Sequence, residues 1–372
     1  MTTWNEKFVV SEYLGRGAFT IVFDVKSTCG ADKGEHYALK RFLLKEPNAV
    51  RNSLRELKIL QRIANEKPDC KQLASMHYSF IHSGSPCIVM KLLSRHTLLN
   101  LLSNVFYLTE YDVVFYAAEI LHGLDQLHSM NIVHMDIRQK NIIFTESGHL
   151  VISDFDRAID LSAEQPYDNL RFILLPHDRA PEIKSNFRIT TQADIWSFGI
   201  VLEEMVNAML NPSPSLKNLI DRCLIKCYYK RFSAERLKRH QVFKCIKWDC
   251  IAAWSYPPPL LPSSLPYEFG DEVEQLKEFL KYDAAIDSTP ELREKPIEVQ
   301  NQAFLTECAF GQSMPCISRK QMIHLNEDGT ELKGVAIFAN SDFNREESKQ
   351  YVTYFKEYQS TNPIVKTEET ET

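Results

Sequence analysis

Between Phe8 and Leu43 the chain is rich in β-branched and aromatic residues, interrupted by glycine-containing turns. It reads as three strands, FVVSEYLG, AFTIVFDVKS and EHYALKRFL. The period then changes. In NAVRNSLRELKILQRIA the apolar residues Val50, Leu54, Leu57, Leu60 and Ile63 recur at helical spacing. Two more strands, ASMHYSFIH and CIVMKLL, flank the turn-forming SGSP. From Leu98 onward long helices dominate, chiefly Thr109–Met130 and Thr191–Met209, each opening on a capping threonine before an apolar face. The pattern predicts an α+β protein in which a small β-rich part with one main helix precedes a larger, mainly helical part.

After Trp248 the composition shifts. YPPPLLPSSLP (Tyr256–Pro266) can be neither regular helix nor central strand, because each proline lacks an N–H and fixes φ, so it is expected to run extended over a surface. Beyond it, DEVEQLKEFLKY reads as a short helix and MIHLNEDGTELKGVAIF as a hairpin around Asp328-Gly329. The polar, acidic residues from Ser360 are expected to be disordered.

Composition narrows the function. A net charge of -6 gives no support for a nucleic-acid partner, and the basic run KRFSAERLKRH reads as a solvated helical face. Nine scattered cysteines lack zinc-site spacing and read as free thiols of a reducing compartment. MTTWNEKFVV lacks the basic-then-apolar pattern of a secretory signal, and no apolar run is long enough for a membrane span. These features predict a cytoplasmic protein, with the nucleus as the other intracellular location.

The candidate chemistry lies in ordered motifs. HMDIRQKN sets an acid, Asp136, four residues before an amide, Asn141, the spacing of a phosphoryl-transfer loop in which the acid accepts a hydroxyl proton and the amide holds Mg²⁺. After IIF, TESGH and LVIS comes DFD, whose Asp154 closes a strand and suits Mg²⁺ binding. Upstream, LGRGAF places Gly15 and Gly17 where backbone amides approach phosphates, YALK ends on Lys40, and the following helix carries Glu56, suited to pair with that lysine. RAPE and DIWSFG complete the series.

On these motifs the chain resembles a eukaryotic protein kinase over roughly residues 8–245. It is most similar to the AGC serine/threonine group, whose phrasing LTEYDVVFYAAEILHGLDQLHSMNIVH and GHLVISDF follow. The resemblance implies a bilobal kinase fold with ATP and Mg²⁺ as cofactors. Its N-lobe would span 8–92 and its C-lobe 93–247, shortened after Met205. An AGC-like tail and extension would cover 248–345, with a partly disordered end at 346–372. It implies catalytic roles for Asp136, Lys40, Glu56 and Arg138. Nucleotide contacts would come from Leu14, Gly15, Gly17, Val22, Ala38, Lys40, Met90, Lys91, Leu93, Asn141 and Asp154, with Asn141 and Asp154 as metal ligands. Met90 falls at the gatekeeper position and Lys91–Leu93 at the adenine hinge. Glu182 would pair with Arg231, and Asp194 would brace the catalytic loop. Partners would be protein substrates, the chain itself being a monomer or bound to a regulatory protein. YVTYFKEY is aromatic enough to be weighed as a tail docking motif, against simple packing on a local core.

The sequence also departs from the family. Met135 replaces the arginine that would receive an activation-loop phosphate, and Arg171 stands where the phosphorylated residue would be. Asp156 replaces a glycine, Leu175 a threonine, and Arg138 a lysine. Thr97 and Lys140 occupy positions where basophilic relatives carry acids, and little separates the helix ending near Met205 from the next. Two readings follow: a Ser/Thr protein kinase needing no loop phosphorylation, or a nucleotide-binding pseudokinase serving as scaffold or allosteric regulator.

Overall fold

The strand-forming residues of the N-terminal part build one antiparallel sheet. Its strands are β1 (Thr3–Trp4), β2 (Phe8–Arg16), β3 (Thr20–Ser27) and β4 (His36–Phe42), then, after helix α1 (Ala49–Glu66), β5 (Met76–His82) and β6 (Ser85–Lys91), in spatial order β1-β2-β3-β4-β6-β5. This is a computed structural model that describes residues 3–4, 7–17, 20–43, 49–82, 85–105, 107–163, 179–184 and 189–265. Those residues form two units, the first of 3–68 with 75–92 and the second of 69–74 with 93–265.

In the first unit, strand alternation sends Phe23, Val25, Tyr37, Leu39, Cys87 and Val89 to one face, where they close a core with Phe8, Tyr13, Tyr78 and Phe80. Each large apolar side chain so buried stabilises the fold by about 1.5–3 kcal/mol. The other face carries Val22, Ala38, Lys40 and Met90, aligned by the pairs Val22–Lys40 and Ala38–Met90. Of α1's predicted apolar stripe, Leu57, Leu60 and Ile63 are buried. One strand begins earlier than expected: β6 takes in Pro86, paired with Ile81. A proline is accommodated there because it lies at the second position of the strand, near its start.

Residues 69–74 belong with the second unit rather than with the strands around them. Ala74 N–H donates to the Ile152 carbonyl, Ile152 N–H to that of Gln72, and the Gln72 amide to that of Ile251. The second unit comprises α2 (Leu98–Asn104), α3 (Glu110–Ser129), the short strands β7 (Ile132–Val133), β8 (Ile142–Phe144), β9 (Leu150–Ile152) and β10 (Ile159–Asp160), α4 (Pro181–Lys184), α5 (Gln192–Asn207), α6 (Pro214–Cys223), α7 (Ala234–Lys238) and α8 (Trp248–Ala253). Helix α3 is its axis, buried along Val113, Tyr116, Ile120, Leu124 and Leu127. Capping boxes at Thr97 and Thr109 fix the starts of α2 and α3. Residues 208–213 alone join α5 to α6.

The segment after α8 lies against the β8–β9 turn. A Cβ on Gly148, whose φ is 91°, would sit 2.2 Å from the Leu260 carbonyl oxygen, so only glycine admits this approach. Next to it, Trp254 stacks on His149 with centroids 4.8 Å apart. Arg171, Leu175, the expected helix and hairpin beyond Pro266, and YVTYFKEY lie outside the described residues.

Candidate active site

In the first unit, register assembles a row across the sheet. Gly15 pairs with Val22, Val22 with Lys40, and Lys40 with Ile88. Leu14, Val22, Ala38 and Met90 are half-buried, in contrast to the closed core on the opposite face. Gly17 N–H donates to the Thr20 carbonyl at 2.9 Å, folding the chain back into β3. From β4, Lys40 Nζ donates to both oxygens of Glu56 on α1, at 2.7 and 2.9 Å. Glu56 is fully buried and Lys40 nearly so. In such surroundings removing either partner leaves a costly lone charge, so the pair fixes the height and direction of the lysine ammonium. Lys91, the last residue of β6, is exposed, and Leu93 is half-buried in the second unit.

The second unit holds the loop that follows β7. His134 is fully buried, its Nε2 donating to the Ser153 carbonyl while Nδ1 accepts the Asp136 N–H, which places the ring proton on Nε2. Met135 has φ 65°, a left-handed conformation costly for a side chain with a Cβ. Asp194 of α5 holds it there. Its carboxylate accepts the N–H groups of His134 and Met135 at 2.8 and 2.9 Å and contacts His128 Nε2 at 3.0 Å. The Met135 side chain packs on an apolar cluster of Val133, Ile159, Ala180, Ile183, Ile189 and Ala193. Residue 135 thus offers carbon and no charge to its surroundings.

Asp136 and Asn141 meet directly. Asn141 Nδ2 donates to the Asp136 carbonyl at 2.8 Å and to its Oδ2 at 2.9 Å. Oδ2 also faces Arg138 Nε at 3.4 Å and Arg157 Nε at 3.9 Å. The carboxylate's hydrogen bond among the described residues therefore falls on Oδ2, and Oδ1 accepts none there. Both recorded bonds of the Asn141 amide are donated by Nδ2, so Oδ1 of Asn141 remains for an oxygen-seeking cation. Asp154, directly after β9 and Ser153, stands at φ 68°. Its carboxylate and the Asn141 amide oxygen are hard oxygen donors of the kind Mg²⁺ prefers.

Asp156 is buried with Oδ1 3.9 Å from Arg157 Nε. Arg157 escaped the sequence reading, although DFDR already sets a cation directly after the second acid. Also unforeseen was the contact between the Gln139 amide and Glu204 of α5. Away from the loop, Arg231 binds Glu182 through two hydrogen bonds, at 2.7 and 3.0 Å.

Comparison with protein families matches residues 8–211 to the protein kinase domain. Among curated proteins the chain is 29% identical over 289 residues to ribosomal protein S6 kinase alpha-6 of Danio rerio, covering 69% of this chain and 38% of that protein. Its similarity to ribosomal protein S6 kinase alpha-3 of Mus musculus is the same in identity and coverage. The chain thus spans well under half the length of these relatives. It belongs to the protein kinase domain family, as a eukaryotic protein kinase resembling the AGC group.

Proposed function

We propose that this chain transfers the γ-phosphoryl group of Mg-ATP to serine or threonine hydroxyls of protein substrates, without phosphorylation of the segment between Asp154 and Glu182. The observation that carries the proposal is the divided carboxylate of Asp136: Oδ2 is held by Asn141, and Oδ1 is left for a substrate hydroxyl. Asp136 Oδ1 orients that hydroxyl and takes its proton as the oxygen bonds to the γ-phosphorus and the bond to ADP breaks. Lys40, steadied by Glu56, engages the α- and β-phosphates, and the amides near Gly15 and Gly17 lie along the phosphate chain. Leu14, Val22, Ala38, Met90, Lys91 and Leu93 take the adenosine. Asn141 and Asp154 would hold Mg²⁺, which would supply positive charge to offset that developing on the phosphates. Arg138 adds positive charge beside the transferred group. Independence from loop phosphorylation rests on Met135, which packs on carbon and offers no cation.

A second reading, a nucleotide-binding pseudokinase acting as scaffold or allosteric partner, draws support from the two guanidinium groups crowded on Asp136. One assay separates the two. With Mg-ATP and mixed protein substrates, Asp136→Asn should lower transfer by about 10²–10⁴-fold, the usual worth of a positioned base. Equal residual transfer by wild type and variant, with Mg-ATP still raising the melting temperature, would establish the pseudokinase.

A further inference from the structure

The basic run expected to be a solvated helical face is divided in two by the structure. Some of its cations are engaged within the protein: Arg231 with Glu182, Lys238 with Asp125 at 2.8 Å, and Arg239 with Glu235. Others are not. Arg222 on α6, Lys226, Lys230, Arg236 on α7, Lys244 and Lys247 are exposed and form no ion pair among the described residues. Two of them are held on one ring. The guanidinium carbon of Arg236 lies 3.6 Å from the centroid of the half-buried Phe232, and that of Arg222 lies 5.4 Å from the same centroid. The turn Gln241–Phe243 packs on α6, where His240 Nε2 meets Asn218 Oδ1 at 3.1 Å, and Lys244 follows it directly. From Arg222 to Lys247 the sequence holds nine lysines and arginines and one carboxylate, Glu235, which Arg239 already engages. Asp221, just before Arg222, makes no ion pair with it. Like charges gathered in this way repel one another, and the ring restrains guanidinium groups that would otherwise sweep through water. A fork already held in place loses little freedom when it meets a carboxylate.

We propose that this face of α6 and α7, centred on Arg222, Phe232 and Arg236, is a docking surface for a short segment of a partner protein rich in Asp and Glu. Charge complementarity carries the assignment, and two features favour a short acidic peptide over a nucleic acid. The chain has a net charge of -6 although this stretch is strongly basic, so the remainder is more acidic still. A long polyanion would run from the patch onto surface of its own sign, whereas a short segment stays within it. A base would also need an aromatic face to stack on, and Arg236 already covers Phe232. The inference concerns binding rather than transfer, so it stands with either reading of Asp136. With the kinase reading, the surface would hold a substrate by a segment outside the phosphorylated sequence.

Fluorescence anisotropy of the full chain with short labelled peptides tests this. Peptides of one frame, carrying Asp/Glu, the corresponding amides or Lys/Arg, are compared with a single-stranded oligonucleotide of the same charge as the acidic one. The Asp/Glu peptide should bind at least about tenfold tighter than its amide counterpart, the worth of one good charge-assisted contact. Arg222→Gln and Arg236→Gln should each weaken it about tenfold, with partial recovery in Arg236→Lys, which keeps the charge but not the fork. Lys26→Gln removes the same charge from an exposed position on β3 and should leave the affinity within about twofold. Added salt should weaken the acidic peptide and leave the amide one unchanged. The substituted side chains are exposed, so the melting temperature should hold. Binding lost in step with stability would give the arginines a structural role and overturn the surface. Equal binding of acidic and amide peptides, an equal loss in Lys26→Gln, or tighter binding of the oligonucleotide overturns it as well.

Discussion

Two sets of arginine–carboxylate contacts in the second unit are built on opposite plans. At Glu182 the geometry is closed. Arg231 gives two hydrogen bonds to the carboxylate, another from Nη1 to the Gln192 carbonyl and one from Nε to the Ile225 carbonyl, and lies over the Trp196 ring. At Asp136 it is open: the nearest approaches of Arg138 and Arg157 are 3.4 and 3.9 Å, and among the described residues Oδ1 accepts no hydrogen bond. The closed set uses nearly all its donors within the protein, so its work is structural. The open set keeps capacity in reserve, which is what a site that must bind and release a ligand needs.

That difference should appear first in stability. Arg231→Met leaves a buried carboxylate and two carbonyls without their partner and is expected to cost about 3–5 kcal/mol. Among the described residues Arg157→Met removes only long contacts, and it is expected to cost less than about 1 kcal/mol. Chemical denaturation of the two variants measures both. Similar losses would erase the distinction between anchor and site.

The closed plan was largely readable from the sequence, and the open one was not. Lys40 with Glu56, Glu182 with Arg231, and Asp194 with the loop amides all stand in an ordered motif series, and the structure makes each of these contacts. Their partners are set by strand register and helix position, which apolar periodicity reveals. Arg157 depends instead on how the chain turns at Asp154, where φ is 68°, and no local pattern gives that angle. The same holds for the meeting of Gly148 with Leu260, a matter of tertiary packing between distant segments. The turn-forming composition of SGSP places Pro86 in a turn, but the sheet admits it near the start of β6.

The first unit supplies a further closed cluster, which sharpens the comparison through pH. Asp32 accepts from Lys7 Nζ at 2.7 Å and from the hydroxyls of Tyr37 and Tyr78. Burial works to raise its pKa, but Lys7 and the two tyrosines outweigh burial and hold it below the ordinary 3.8. A depressed carboxylate contributes stability that is present above its unfolded value and lost as pH falls through the folded one. Glu119 in the second unit is the opposite case. Burial raises its pKa despite bonds from His149 and Leu150, so its contribution is full in acid and lost as pH rises through the folded value. Asp32→Asn should therefore flatten the loss of stability below the normal carboxylate range, whereas Glu119→Gln should flatten the decline above it. Denaturant midpoints followed across pH test both, and a common slope change in the two variants would contradict the assigned signs.

The smallest expected effect concerns how the open site keeps its shape. Met135 holds a left-handed φ because Asp194 binds its N–H and that of His134, and this turn delivers Asp136 toward Asn141. Glycine accepts that φ freely, and alanine does not. Both variants lose the same methionine packing against Val133 and Ile183, so their difference isolates the backbone. Met135→Gly should be more stable than Met135→Ala by up to about 1 kcal/mol, the greater unfolded-state entropy of glycine offsetting part of the relieved strain. That order is the reverse of the one found inside helices. If alanine proved the more stable, the loop would relax on mutation, and the geometry that leaves Asp136 Oδ1 available would owe less to Asp194 than its two hydrogen bonds indicate.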